Sequence, residues 1–344
     1  MKRFLINTVV LVSLVLGTLL AVYLLPVPYK HQLAAILNKI ELLKDGRQNR
    51  IILVGGSGLY CGIDSEMLQK KLGRPVVNMG LYFGFGITPL LREIRPYLHP
   101  GDVVVMIPEY TVILDKYDDF ARRWLFALAP NRNLLYYYQN TPEPFKTFVI
   151  DFSGLIQSKF ESIPVIARAM LHTGRFSGWF ENGYVSFHDE FNGEGDSLKG
   201  FPSVAFPKGK GRSIFSPGYR DQSLVAVNTF CRETKRQGIQ ALFVFPAYAS
   251  EEYYPVSDEF RHYAQRLKNE LLCPVIGSPR DFLYPYRFFS DNVNHLTAEG
   301  KRRRTEKLIE LLAKQPMMSL ALGSIREKIA LTKPGLNGRH FVRM

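Results

Sequence analysis

The uncharged run over residues 5–26, LINTVVLVSLVLGTLLAVYLLP, restricts this chain more than any other feature. As a helix it is long enough to cross a hydrocarbon core of ~30 Å. Lys2 and Arg3 precede it, and Tyr23 and Tyr29 suit the interface at its far end. The run is long for a cleaved signal peptide, and no small-x-small cleavage site follows it. A single-pass membrane anchor over residues 1–30 is therefore expected. Lys2 and Arg3 place the amino terminus inside and the rest of the chain on the extracytoplasmic (periplasmic or outer) side. Lys30, with Lys39, Lys44 and Arg47 further on, weakens that asymmetry.

Beyond the anchor, apolar runs of strand length alternate with runs of helical period. Leu33, Ile36, Leu37, Ile40 and Leu43 predict a lead-in helix over 32–43. A strand over 50–54 ends in Gly55-Gly56-Ser57-Gly58. Helix 64–72, strand 75–78, helix 87–98, a His99-Pro100-Gly101-Asp102 turn and a wholly apolar strand 103–107 follow. From 117 to 220 the rhythm stops. Trp124, Tyr136 to Tyr138, Trp179 and a Gly-rich run over 193–211 mark an insertion with helices at 120–128 and 156–171, expected to pack over the carboxyl edge of the sheet. Alternation resumes with helix 221–237, stopped by Gly238, strand 239–245, helix 257–272, strand 274–276 and helix 296–312. Residues 316–344 are a basic tail, and 31–315 form one domain. The pattern predicts an α/β fold: an open, mostly parallel five-stranded sheet with helices on both faces, flavodoxin-like in its layout.

The net charge of +13 suits contact with an anionic surface, but no nucleic-acid readout motif accompanies it, so nucleic acid is not an expected partner. The densest basic cluster, Lys301 to Arg304, falls on a helix and reads as a solvated face. Cys61, Cys231 and Cys273 are odd in number and lack metal-ligand spacing; they read as small buried hydrophobes, and no metal or cofactor is expected.

In open parallel sheets, ligands bind beyond the carboxyl ends of the strands. Those ends deliver Ser57 from the first strand, Asn78-Met79-Gly80 from the second and Pro108-Glu109-Tyr110 from the third. Asp291 and His295 come from the loop before the last helix. A serine needs a base to act as nucleophile, and an imidazole base needs a carboxylate to fix its tautomer. Ser57, His295 and Asp291 are the candidate set.

These blocks, in this order, resemble the SGNH (Gly-Asp-Ser-Leu) hydrolases. Val54-Gly55-Gly56-Ser57 is similar to their nucleophile block. Asn78-Met79-Gly80, with Gly84, Gly86 and Thr88, is similar to their second. Asp291-Asn292-Val293-Asn294-His295-Leu296, with Gly300, is similar to their last. With the anchor, the chain looks most like membrane-tethered SGNH-like proteins that move or remove acyl groups on cell-envelope polymers. The resemblance implies Ser57, Asp291 and His295 as catalytic residues and Gly80 as an oxyanion donor, with Asn78 and Tyr110 as further candidates. It implies an acylated glycan or acyl donor as substrate and a membrane-bound acyl-transfer protein as a possible partner. Three departures stand out. Gly56 replaces Asp before the nucleophile, Asp291 and His295 are one residue further apart than usual, and Glu109 stands where the third block has a donor Asn. An ionised Glu109 would oppose an oxyanion; it reads alternatively as a surface carboxylate or a substrate contact.

Two other functions compete. One is a catalytically degenerate SGNH-fold protein that binds or scaffolds an envelope polymer. The other is a dinucleotide-binding oxidoreductase, because Gly56-x-Gly58-x-x-x-Gly62 resembles a phosphate loop. Asn78 occupies the place where that motif needs an acidic residue.

Overall fold

The computed structural model describes residues 1–24, 35–81, 86–110, 143–173, 191–198, 222–316 and 318. The anchor candidate is one helix, α1 (Lys2–Leu24), long and apolar enough to cross a membrane. The lead-in helix is described as α2 (Ala35–Leu43).

Five strands, β1 (Ile51–Gly55), β2 (Val76–Asn78), β3 (Val103–Ile107), β4 (Gln240–Val244) and β6 (Val275–Ile276), form one sheet in the order β2-β1-β3-β4-β6. All four pairings are parallel. Every residue of β1 and β3 is buried, which is why both read as continuous apolar runs. Each large aliphatic side chain so buried contributes ~1.5–3 kcal/mol. In a separate two-stranded sheet, β5 (Tyr248–Ala249) pairs in parallel with β7 (Leu283–Tyr284); strands of two residues carry no readable period.

The connecting helices are α3 (Ser57–Tyr60), α4 (Ser65–Leu72), α5 (Ile87–Ile94), α6 (Pro144–Thr173), α7 (Gln222–Arg236), α8 (Ser250–Tyr253), α9 (Ser257–Glu270) and α10 (Ala298–Ala313). Contacts group α4 with α10 and α5 with α7. The chain moves from β1 to β2 in one direction and from β2 back to β3 in the other. Right-handed crossovers then put the two groups on opposite faces, and the switch point falls between β1 and β3.

Helix ends follow local chemistry. Asp64 caps α4 by accepting from the Met67 amide at 2.9 Å. Gly238, at φ +71°, ends α7 in the left-handed region. The helix expected over 87–98 tightens after Ile94 into a 3-10 turn, Arg95–Tyr97, because Pro96 lacks the N–H that would continue the ladder. Helix α9 stops at Glu270. There Asn228 of α7 donates to the Glu270 carbonyl and accepts from the Leu272 amide, both at 2.8 Å.

At the amino edge of the sheet, Arg50 and Asp102 form a wholly buried ion pair at 2.7 Å. Arg50 also donates to the Leu43 and Tyr97 carbonyls, and Asp102 accepts from the Arg50 and His99 amides. The pair therefore joins α2, β1 and the turn before β3.

Of the expected insertion, helix α6 and residues 191–198 are described. The helix begins at Pro144, before the expected residue 156, and packs against α1, with Phe152 also packed on the domain core. Residues 191–198 do sit at the carboxyl end of β2, where the Asn78 amide donates to the Glu194 carbonyl at 2.7 Å. Trp124, Tyr136 to Tyr138, Trp179, Gly84, the expected helix 120–128, Tyr29 and nearly all of the basic tail lie outside the described residues. All three cysteines are buried free thiols.

Candidate active site

Strand β1 ends at Gly55, Gly56 continues extended, and Ser57 opens α3 with its side chain almost fully buried. Gly56 is required by close approach. A Cβ there would overlap the carboxylate of Glu109, which rises from the end of the neighbouring strand β3. Glu109 is therefore not the surface carboxylate allowed by its sequence position; it is buried beneath the serine loop. Its Oε1 accepts from the Gly58 amide at 2.6 Å. The other face of that residue is held too, since buried Arg304 of α10 donates to the Gly58 carbonyl. The serine loop is thus clamped from β3 and from α10.

Burial pushes the Glu109 carboxyl above its ordinary range, against the Gly58 amide and the Arg304 guanidinium, which favour the charged form. In the neutral form the proton belongs on Oε2, which has no partner among the described residues. Burial likewise lowers the Arg304 guanidinium to about 10. Of the cluster read as a solvated face, Arg302 and Arg303 do pair with Glu299 at the surface, while Arg304 turns inward.

The other half of the site is a tight loop before α10. Phe289 and Leu296 form an antiparallel bridge, and the Ser290 amide donates to the His295 carbonyl at 2.9 Å. Asn292 Oδ1 accepts the Asn294 and His295 amides inside that loop. This turn spans the three residues between Asp291 and His295 and brings the carboxylate back to the ring. Asp291 Oδ1 lies 2.8 Å from His295 Nδ1, and His295 Nε2 lies 2.8 Å from Ser57 Oγ. Thr297 caps the helix that follows, accepting from the Gly300 amide at 3.3 Å.

A second group competes for Nδ1. The Asn292 amide nitrogen sits 2.9 Å from it, turned there because its oxygen is engaged by the two main-chain amides. Nδ1 satisfies one partner or the other: protonated, it donates to Asp291; unprotonated, it accepts from Asn292. The charged acceptor makes the stronger bond. That leaves Nε2 with a lone pair facing the serine hydroxyl, the tautomer a base requires. Burial lowers the His295 pKa, and Asp291 opposes that shift without reversing it.

The remaining candidates are placed differently. Asn78 is fully buried and its side chain is committed: Oδ1 accepts from the Gly80 amide at 2.9 Å, and the two Nδ2 hydrogens go to Asp196 at 2.8 Å and the Leu59 carbonyl at 3.4 Å. Asn78 thus shapes the loop and has no donor left for an oxyanion. The Gly80 amide, expected to be such a donor, points at Asn78. Tyr110 is packed edge-on against Tyr248 and Phe260, and no described contact joins it to Ser57 or His295. The Ser57 amide opens a helical turn, where the first N–H groups have no intrahelical acceptor.

Two residues that matter here gave no sequence signal of it. Lys39, counted above as a flanking charge, is fully buried in the domain. It donates to the Asn78 and Gly195 carbonyls at 2.9 and 2.8 Å and lies 4.5 Å from the Phe191 ring centre. Burial pushes its ammonium down to about 7, with Asp196 opposing. Asp196 accepts from the Ser65 amide and hydroxyl and from Asn78. Together they fasten residues 191–198 to the end of β2. Among the described residues, no three His, Cys, Asp or Glu side chains converge as a metal site.

Fold and site define an α/β protein with a hydrogen-bonded Ser–His–Asp chain at the carboxyl edge of its parallel sheet. No protein-family model matches this chain, and no curated protein matches it either.

Proposed function

We propose that this chain is a membrane-tethered, SGNH-like serine esterase or O-acyltransferase, acting on an acylated cell-envelope or exported polysaccharide. The single observation that carries the reading is the Ser57–His295–Asp291 chain, closed at 2.8 Å in both links. In this mechanism Ser57 Oγ attacks the acyl carbonyl while His295 Nε2 takes its proton. The tetrahedral intermediate collapses and His295 returns the proton to the departing alcohol. The acyl group on Ser57 then passes to water or to a glycan hydroxyl, with His295 again acting as base.

Two departures from the SGNH pattern read as one exchange. The side chain missing at Gly56 leaves the space that the Glu109 carboxylate fills from β3. Burial favours the neutral form of Glu109, which lessens its opposition to negative charge at the site. The phosphate-loop alternative is weakened by the same contact, since the Gly58 amide already serves a carboxylate. The scaffold alternative draws support from the Gly80 amide, which is engaged by Asn78.

The reading includes α1 as the anchor, with the domain outside. Lys2 and Arg3, directly before α1, support that side. A reporter active only outside the membrane, fused after Met344, reads the side.

Turnover of p-nitrophenyl acetate by the full-length protein tests the chemistry. Because the His295 pKa is lowered, kcat/KM is expected to rise with pH through a limb below ~6.5. Asp291→Asn is expected to move that limb lower still, because the carboxylate that favours the imidazolium is gone. No turnover supports the scaffold reading; a limb that Asp291→Asn leaves in place removes His295 as the base.

A further inference from the structure

Helix α6 carries an apolar stripe that stays exposed among the described residues. At about 100° per residue, Phe145, Val149, Phe160, Ile163 and Leu171 fall in one arc of about 80°. All five are exposed; Ile150, also exposed, lies outside the arc. Helix α1 crosses this same face near its middle. Leu19 of α1 shares an open cleft with Phe152, Ile156 and Phe160. On both sides of the crossing, among the described residues, these five side chains stay exposed.

The crossing level can be placed. Leu19 lies about 25 Å along α1 from Lys2, so in a core of ~30 Å it sits near the interface on the domain side. Helix α6 is not a second span. Lys146, Asp151, Lys159, Glu161 and Arg168 interrupt it, and among the described helices only α1 is apolar enough to cross.

We propose that α6 is an interfacial helix, its apolar face laid into the same bilayer that holds α1, on the side of the folded domain. The occupant follows from continuity: a face crossed by a lipid-embedded helix at interface depth meets lipid on either side of it. This holds the serine site at a fixed height above the membrane rather than on a free tether. It rests on α1 being the anchor, and the test separates the two ideas.

Single cysteines at Phe145, Val149 and Ile163, and at Leu11 of α1, are labelled with an environment-sensitive fluorophore in full-length protein reconstituted into phosphatidylcholine nanodiscs. The native thiols are buried. Val225, an exposed apolar residue on α7, is the reference. Thermal unfolding confirms that each variant folds. The expected result is quenching of the α6 positions by shallow spin-labelled lipid, with iodide quenching at least three-fold weaker than at Val225. Iodide quenching equal to that at Val225 overturns the proposal, and so does shielding from both quenchers, which means protein covers the face. If Leu11 is not quenched by lipid, the anchor reading fails as well; if Leu11 is quenched and α6 is not, only the α6 proposal fails.

Discussion

Ser57→Ala and His295→Ala are each expected to lower ester turnover by about 10⁴-fold or more, and the double variant to lose no more than either alone. The two side chains act as one unit across a 2.8 Å contact, so removing either removes the activated nucleophile. Asp291→Asn is expected to cost less, about 10- to 100-fold, as for one charge-assisted hydrogen bond worth ~1.5–3 kcal/mol. Two features set that value. The Asp291 side chain is 50% exposed, so water screens its charge. Asn292 also waits at Nδ1 and, without the carboxylate, favours the tautomer that points a proton at Ser57. Steady-state kinetics on the three variants check this order. A loss at Asp291 equal to that at Ser57 would mean that the loop itself had collapsed.

The largest effect on stability is expected far from the site. Asp102→Ala leaves the Arg50 guanidinium buried without its counter-ion and should destabilise the fold by ~3–5 kcal/mol. Asp102→Leu combined with Arg50→Met removes both charges and should cost clearly less. Urea unfolding measures both. The rate of ester turnover per folded molecule should not change in either, because the pair lies at the amino edge of the sheet and Ser57 at the carboxyl edge. A double variant as unstable as Asp102→Ala would show that the hydrogen bonds to the Leu43 and Tyr97 carbonyls, not the charge pairing, hold that edge.

What the sequence disclosed follows physical lines. β1 and β3 are buried on both sides, so their apolar runs mark them almost to the residue. Ser57, Asp291 and His295 were legible because each sits at a fixed place relative to a strand or a helix start. Their order along the chain survives folding. Arg304 was read as part of a solvated face, and Glu109 was left between a surface carboxylate and a substrate contact, because burial of a charge is not written in its neighbours. Lys39 bonds to the Gly195 carbonyl across 156 positions. No local pattern announces a contact of that range, and the same holds for Asp196 with Ser65. Oxyanion candidates fared worst. Asn78 and Gly80 were chosen for position, yet the Gly80 amide donates to Asn78 Oδ1, and the Asn78 side-chain nitrogen donates to Asp196 and the Leu59 carbonyl. Only the structure counts which donors remain free.

The central claim is that Ser57 is a nucleophile activated by His295. Full-length protein in detergent, treated with a fluorophosphonate and then mapped by peptide mass spectrometry, tests it directly. The account predicts one covalent phosphonyl adduct, on Ser57, formed at neutral pH and lost in His295→Ala. A folded native protein that carries no adduct on Ser57, or an adduct that forms as fast without His295, contradicts it.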